Sequence, residues 1–387
     1  MEPVPFVFGR VAVKADFTNR KQEIGRLKDN FRMLVNTVII SPRRWGKTSL
    51  VYRASEEMRK VEPGLKICQI DLFNIRDEAD FYLSLAREVL QATSSKWEEM
   101  AQSAMKFLSR LIPRMTFSPD QQNEISFGIG WEELKKNPDD VLDLAEAIAL
   151  EKKIRIVVCI DEFQNIAEFA QPLAFQKKLR SHWQKHTQVA YCLFGSKRHM
   201  FLDVFTHSSM PFYNFGQIIY LDKISREDWV SFIIERFRET GKQIGDREAA
   251  MIALLADNHP YYVQQLAQQA WLRTAKRCGR EIVTAAHRSL TEQLSLLFTN
   301  LTESLSISQL GLLKALLSGE KQLSSQASLK KYRLGTSGNV SRLKKSLIDK
   351  DILDLQGDNL TFQDPVYSWW LKEYYFKISP EVPDTEA

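Results

Sequence analysis

The sequence predicts an α/β fold built on a parallel sheet, followed by two mainly helical regions. Three observations carry this. Over roughly the first 220 residues, β-branched runs alternate with stretches of 3.6-residue apolar periodicity, and strand–helix–strand order implies parallel strands joined by right-handed crossovers. The run Thr37–Ile40 passes through a turn into a helical pattern at Ser41-Pro42-Arg43-Arg44-Trp45-Gly46-Lys47-Thr48-Ser49-Leu50. The run Ile154–Ile160, dense enough in Ile and Val for a strand buried on both faces, ends on the carboxylates Asp161 and Glu162.

A chain of 387 residues exceeds the usual span of about 100–200 residues per domain, so two or three domains are expected. The hydrophobic fraction of 44% can fill sizeable cores. The net charge of +5 allows an anionic partner without arguing for nucleic acid, because 53 basic residues are nearly matched by 48 acidic ones. Cys68, Cys159, Cys192 and Cys278 show no CxxC spacing, and the first three lie in apolar runs, which reads as buried thiols in a reducing compartment. No apolar run approaches the roughly 18 residues of a membrane helix, and Met1–Arg10 lacks a signal pattern, so no membrane partner and a cytoplasmic location are expected.

In chain order, Thr18 or Asn19 is placed to cap a first helix with Ile24, Leu27, Phe31 and Leu34 as its inward stripe. A helix after the turn faces Val51, Ala54, Met58 and Val61 inward and stops at Glu62-Pro63-Gly64. Lys66–Leu72 reads as a second buried strand, followed by a helix from about Glu78 to Ala92. The segment 93–137 is irregular, with Pro113 and Pro119, and reads as an insertion made of a helix and a hairpin. Pro138-Asp139-Asp140 opens a helix to about Lys153, Pro and acids both suiting a first turn. A helix from Phe175 to His186, a strand Val189–Ser196 and a closing strand Gln217–Leu221 complete the sheet.

The turn has the chemistry of a phosphate-binding loop. Gly46, Lys47 and Thr48 match the Gly-x-x-x-x-Gly-Lys-Ser/Thr pattern, in which backbone N–H groups and a helix N-terminus cradle phosphates. Ser41 stands where the first Gly is usual, and a Cβ there must fit the backbone angle or soften the loop. Two carboxylates at the end of a buried strand are costly without a purpose. Beside a phosphate loop the purpose is evident: Asp161 holds Mg2+ with the Thr48 hydroxyl, and Glu162 polarises the attacking water. Capping of the next helix is the plainer alternative. Ser196, polar at its strand tip, either orients that water or is a turn residue.

Taken together, Phe17-Thr18-Asn19-Arg20, Ser41–Thr48, Ile160-Asp161-Glu162, Phe194-Gly195-Ser196, Asn258-His259-Pro260-Tyr261-Tyr262 and Asp364-Pro365-Val366-Tyr367 resemble, in order and over nearly the whole chain, the archaeal-type ATPases of the STAND group, relatives of AAA+ proteins and of origin-recognition initiators. The resemblance implies a P-loop NTPase core binding ATP or ADP with Mg2+, a helical lid and a C-terminal winged helix. It places Asn19 and Arg20 near the nucleotide base, Pro260 against adenine, and Ser41, Pro42, Arg43, Arg44, Trp45, Gly46, Lys47, Thr48 and Ser49 around the phosphates. The family also tends to show Pro-Leu-Tyr-Gly-Arg before the last strand, where this chain has Pro211-Phe212-Tyr213-Asn214-Phe215-Gly216. The missing Arg removes one stabiliser of transition-state charge, so hydrolysis should be slow or use another Arg such as Arg198.

The remainder agrees with that layout. Ser225 with Glu227 and Asp228 reads as a capping box over an inward stripe of Trp229, Phe232, Ile233 and Phe237. Helices at about Asp246–Ala256, His259–Lys276 and Thr284–Leu297 complete a lid. From Glu303 shorter helices lead to two alternating runs around Gly357-Asp358-Asn359, the helix-then-hairpin order of a winged helix. Its candidate recognition helix, Ser337–Lys350, turns Val340, Leu343 and Leu347 inward and Asn339, Arg342 and Lys345 outward, towards DNA or simply towards solvent or a protein partner. The predicted boundaries are 1–223 for the core with 93–137 inserted, 224–300 for the lid, 301–378 for the winged helix and 379–387 for a tail. The expected activity is a nucleotide-controlled switch with weak ATP hydrolysis. Its rival is a DNA-binding or scaffold module whose nucleotide is not turned over. Any output partner would be a separate chain or a second copy.

Overall fold

A computed structural model describes residues 4–12, 16–107, 116–119, 125–128, 138–196, 204–205, 207–356 and 359–378. Arg198, Pro113, the hairpin turn Gly357-Asp358 and the tail 379–387 lie outside the described residues. The chain divides into two compact units. One comprises Arg20–Ser41 and Lys47–Leu221, the other Met1–Asn19, Pro42–Gly46 and Asp222–Ala387.

The first of these is the α/β unit. Its elements are α1 (Lys21–Arg32), β1 (Thr37–Ile40), α2 (Lys47–Val61), β2 (Leu65–Asp71), α3 (Glu78–Thr93), α4 (Trp97–Phe107), the hairpin β3 (Thr116–Pro119) and β4 (Ile125–Gly128), α5 (Pro138–Leu142), α6 (Leu144–Lys152), β5 (Arg155–Asp161), α7 (Pro172–Trp183), β6 (Val189–Gly195) and β7 (Gln217–Tyr220). Among the described residues the sheet runs β2-β5-β6-β1-β7 with every pairing parallel. Both strands that end in candidate site residues, β1 and β5, are therefore interior, flanking β6. This order puts their C-terminal ends on either side of the β6 end, at the edge where open α/β sheets bind ligands.

Burial follows the strand chemistry. β6 is buried throughout, and Ile156 to Ile160 are fully enclosed. Tyr191 stacks on Trp183 of α7 at 4.0 Å. Gly216 is needed at the entry to β7, because a Cβ there would lie 2.1 Å from the Asn36 carbonyl oxygen, which accepts the Gln217 amide.

Several local expectations are corrected. Neither Thr18 nor Asn19 caps α1: the cap position is Arg20, left-handed at φ 62° and without a capping side chain. Leu34 falls beyond that helix in left-handed backbone. Val61 is 59% exposed, since it ends α2 just before the chain turns back into the sheet at β2. The helix predicted over Pro138–Lys153 is two, broken at Asp143, and the predicted Phe175–His186 helix instead spans α7. All four cysteines are buried and form no disulfide.

The second unit continues with α8 (Arg226–Glu239), β8 (Gln243–Ile244), α9 (Asp246–Leu255), α10 (Pro260–Arg273), β9 (Arg277–Cys278), α11 (Arg280–Gln293), α12 (Ser295–Glu303), α13 (Ile307–Leu317), α14 (Gln326–Lys331), α15 (Ser337–Asp349), the antiparallel pair β10 (Leu353–Gln356) and β11 (Asn359–Phe362), and α16 (Pro365–Trp370). One apolar core runs from Phe6 through Trp229, Leu290, Leu313 and Leu347 to Leu371. The N-terminal segment, expected with the α/β core, belongs here: the Val7 amide donates to Gln264 and Arg236 to the Pro5 carbonyl. The helix predicted at Thr284–Leu297 is divided between α11 and α12, and that predicted at His259–Lys276 is α10. Ser225 does cap α8 by accepting from the Asp228 amide, but the Asp228 carboxylate meets Ser225 and Asn19 side chains instead of closing a backbone box. No helix of the described residues is long and apolar enough to cross a membrane.

Candidate functional site

The loop Ser41–Gly46 joins β1 to the N-terminus of α2. Left-handed backbone occurs in it at Arg44 (φ 60°) and Gly46 (φ 87°), and not at Ser41. The Cβ of Ser41 therefore meets no left-handed penalty, and the unusual angle has passed to Arg44. Ser41 is buried, and the Lys47 ammonium, only 5% exposed, lies 3.3 Å from both its carbonyl and its hydroxyl oxygen. A buried lysine ammonium beside the loop is well placed to meet an anion.

At the end of β5 the two acids have different settings. Asp161 accepts from the Thr48 hydroxyl at 2.6 Å and from the Glu162 amide at 2.8 Å. Burial dominates its environment and pushes its pKa up to about 6, the Thr48 hydrogen bond opposing. Glu162 is left-handed at φ 51°, which turns its side chain away from the β5 direction before the 3-10 turn Phe163–Glu168. Its Oε2 accepts from the Ser196 amide at 3.2 Å, the Ser196 hydroxyl at 2.8 Å and the Gln164 side-chain amide. The structure thus brings Lys47 to Ser41, Thr48 to Asp161, and Ser196 to Glu162, all within the α/β unit. Gln164 was not anticipated, since no spacing in the sequence marks it; it is buried, and its Oε1 has no hydrogen-bond partner in the structure.

The remaining loop residues face other partners in their own unit. Arg43 pairs with Asp351 at 3.1 Å, the Arg44 guanidinium lies 4.5 Å over the Tyr261 ring, and buried Trp45 meets His259 edge-on at 6.4 Å. Asn19 donates to Asp228 at 2.6 Å, and Arg20 pairs with Glu23 at 2.9 Å. Pro260 opens α10 directly after His259. On α15, Val340, Leu343 and Leu347 are buried and Arg342 and Lys345 exposed, as their spacing predicts. Asn339 is corrected: it is half-buried, donating to the Leu334 carbonyl at 2.8 Å, because the first turn of the helix folds back on the preceding turn.

Residues 45–170 match the KAP family P-loop domain, and residues 296–373 match a probable winged helix domain. The chain carries a P-loop NTPase domain and a C-terminal winged helix. Among solved structures it is similar to the Walker-type ATPase of Pyrococcus abyssi, with a TM-score of 0.63 and 17% identity over 95% of this chain and 99% of that one. It is also similar to the ORC2 protein of Aeropyrum pernix in its ADPNP–ADP complexes, with a TM-score of 0.55 and 16% identity over 95% and 96% of the two chains. At these identities the likeness establishes the shared fold. No curated protein sequence matches the chain.

Proposed function

We propose that the P-loop NTPase domain binds ATP and that the chain is a STAND/AAA+-like nucleotide-controlled switch with weak Mg2+-dependent hydrolysis. The observation that carries this reading is the joint placement of Lys47, Thr48, Asp161, Glu162 and Ser196 at the ends of three adjacent strands. Lys47 neutralises the β- and γ-phosphates, and the loop N–H groups together with the α2 N-terminus hold them. The Thr48 hydroxyl and the Asp161 carboxylate, both hard oxygen donors, fit Mg2+ held by one carboxylate, phosphate oxygens and water. Bound Mg2+ supplies neutralisation of phosphate charge. Glu162, oriented by Ser196 and Gln164, is the group positioned to take a proton from water. Phe215, where the resemblance expects Arg, supports slow turnover.

The test is equilibrium binding of labelled ATP with Mg2+ to the wild-type chain and to Lys47→Ala, alongside γ-phosphate release with and without DNA. The variant should lose most affinity while keeping its circular dichroism. Equal binding by both proteins would exclude this loop as the phosphate site.

A further inference from the structure

We propose that the outer edge of β2 is a docking site for an extended, acidic segment of a partner protein, which adds to the sheet as a further strand. None of the residues concerned is one of those assigned to the nucleotide. β2 is the last strand on its side of the sheet, and among the described residues no strand pairs with it opposite β5. The other outer strand, β7, has only four residues. β2 has seven, contains no proline, and keeps an unbroken register with β5 from Leu65 opposite Arg155 to Asp71 opposite Asp161. Proteins ordinarily shorten, interrupt or cover such an edge, because its outward N–H and C=O groups are a template for another strand.

The register shows which groups face outward. The Arg155 amide donates to the Gly64 carbonyl, so residues 66, 68 and 70 turn their backbone groups to β5, and residues 65, 67 and 69 turn theirs away. Ile67 fits that alternation, since its carbonyl accepts from the Arg59 guanidinium at 2.9 Å. A cleft of about 600 Å³ lies beside these groups, bounded by Arg59 and Pro63 near the end of α2 and by Glu88 and Gln91 of α3. At roughly 3.3 Å per residue, the stretch from Leu65 to Gln69 offers about 13 Å of edge, room for about five residues of an added strand.

Charge selects the occupant. Side chains of β2 alternate between two helices: Gln69 donates to the Ser55 hydroxyl of α2, whereas Cys68 and Ile70 join the core beside α3. Arg59 therefore stands on the α2 side of the cleft, and Lys66 on the α3 side. Neither has a carboxylate partner among the described residues. Glu88, the acid among the lining residues, pairs with its neighbour Arg87 at 3.3 Å. An added strand also points its side chains alternately to the two sides, so acids on both of its faces each meet a cation. The backbone ladder supplies affinity, and the two cations reject basic strands. Arg59 yields the Ile67 carbonyl to the incoming N–H and gains a charge-assisted bond to a carboxylate.

The experiment uses the full chain and three fluorescent heptapeptides with blocked ends. One is built of valine and glutamate with acids on both faces, one has lysine for glutamate, and one is the acidic peptide N-methylated at two adjacent central residues, which blocks both of its edges. The acidic peptide should bind, and the other two should bind at least about ten-fold more weakly. Amide exchange across residues 65–71 should slow when the acidic peptide is bound. Arg59→Gln and Lys66→Gln should each weaken that binding about two- to five-fold. No binding of the acidic peptide, equal binding of the methylated or lysine form, or binding that leaves exchange in 65–71 unchanged would overturn the docking site. A doubled mass in sedimentation, with 65–71 protected in the dimer, would give the edge to a second copy of the chain and overturn the peptide as its occupant.

Discussion

Glu162 shows how one residue's backbone sets its chemistry. Its φ of 51° places it off the line of β5, where Ser196 and Gln164 donate to one carboxylate oxygen. Asp161, one residue earlier and still on the strand, faces Thr48 instead. Two adjacent carboxylates are thereby given separate partners and separate tasks. Glu162→Gln keeps the shape and loses the charge, so ATP should bind as in wild type while turnover falls about 10²–10⁴-fold. Single-turnover phosphate release measures this, and an unchanged rate would remove Glu162 from the mechanism. That Thr48 and Asp161 come together was legible from the Gly-Lys-Thr and Ile-Asp-Glu stretches. Gln164 was not, because its significance lies in a side-chain contact and not in a spacing.

At the scale of elements, α11 carries a buried histidine with no charge partner. His287 is 8% exposed, its Nε2 has no hydrogen-bond partner in the structure, and its ring meets Trp369 edge-on at 5.2 Å. Burial lowers its pKa to about 4. The unfolded chain takes a proton on this ring near the usual value of about 6.5, while the folded chain resists until about pH 4. The group's contribution is therefore complete above pH 6.5 and lost as pH falls through 4, amounting to about 3 kcal/mol at most. Denaturant unfolding at pH 7 and pH 4.5 should show a large loss for wild type and a smaller one for His287→Leu. Equal losses would mean that His287 is already hydrated or paired in the fold. The same elements show where periodicity stopped short. It located α8 and α15, but it ran α11 into α12 because apolar residues continue across Leu294, where the backbone breaks.

At the scale of the whole molecule, the winged helix turns two basic side chains outward. Arg342 and Lys345 are exposed one turn apart on α15, and Asn339, turned back to Leu334, withdraws from that face. If the face grips DNA, two phosphate contacts are at stake, each about 0.9 in the slope of log affinity against log salt. Arg342→Ala with Lys345→Ala should flatten that slope by nearly two units, measured by DNA binding with ATP, with ADP and without nucleotide. An unchanged slope, or no salt-dependent binding by the intact chain, would assign the face to protein contact.

The sequence by itself determined the α/β class, the two strands whose ends carry the candidate site, and the winged helix, because each rests on local chemistry: β-branched runs, a Gly-Lys-Thr turn, a period of 3.6, a hairpin. It also determined that Ser41 departs from the usual loop. Only the tertiary structure decided what that departure means, since backbone angles depend on the contacts around the loop, and these put the left-handed residue at Arg44. Likewise only the fold could join Arg43 to Asp351, Tyr262 to Asp364 and Phe6 to the helical core, pairs separated by a hundred residues or more in the chain. No periodicity records such distances, because they are set by how whole elements pack and not by the sequence around either partner.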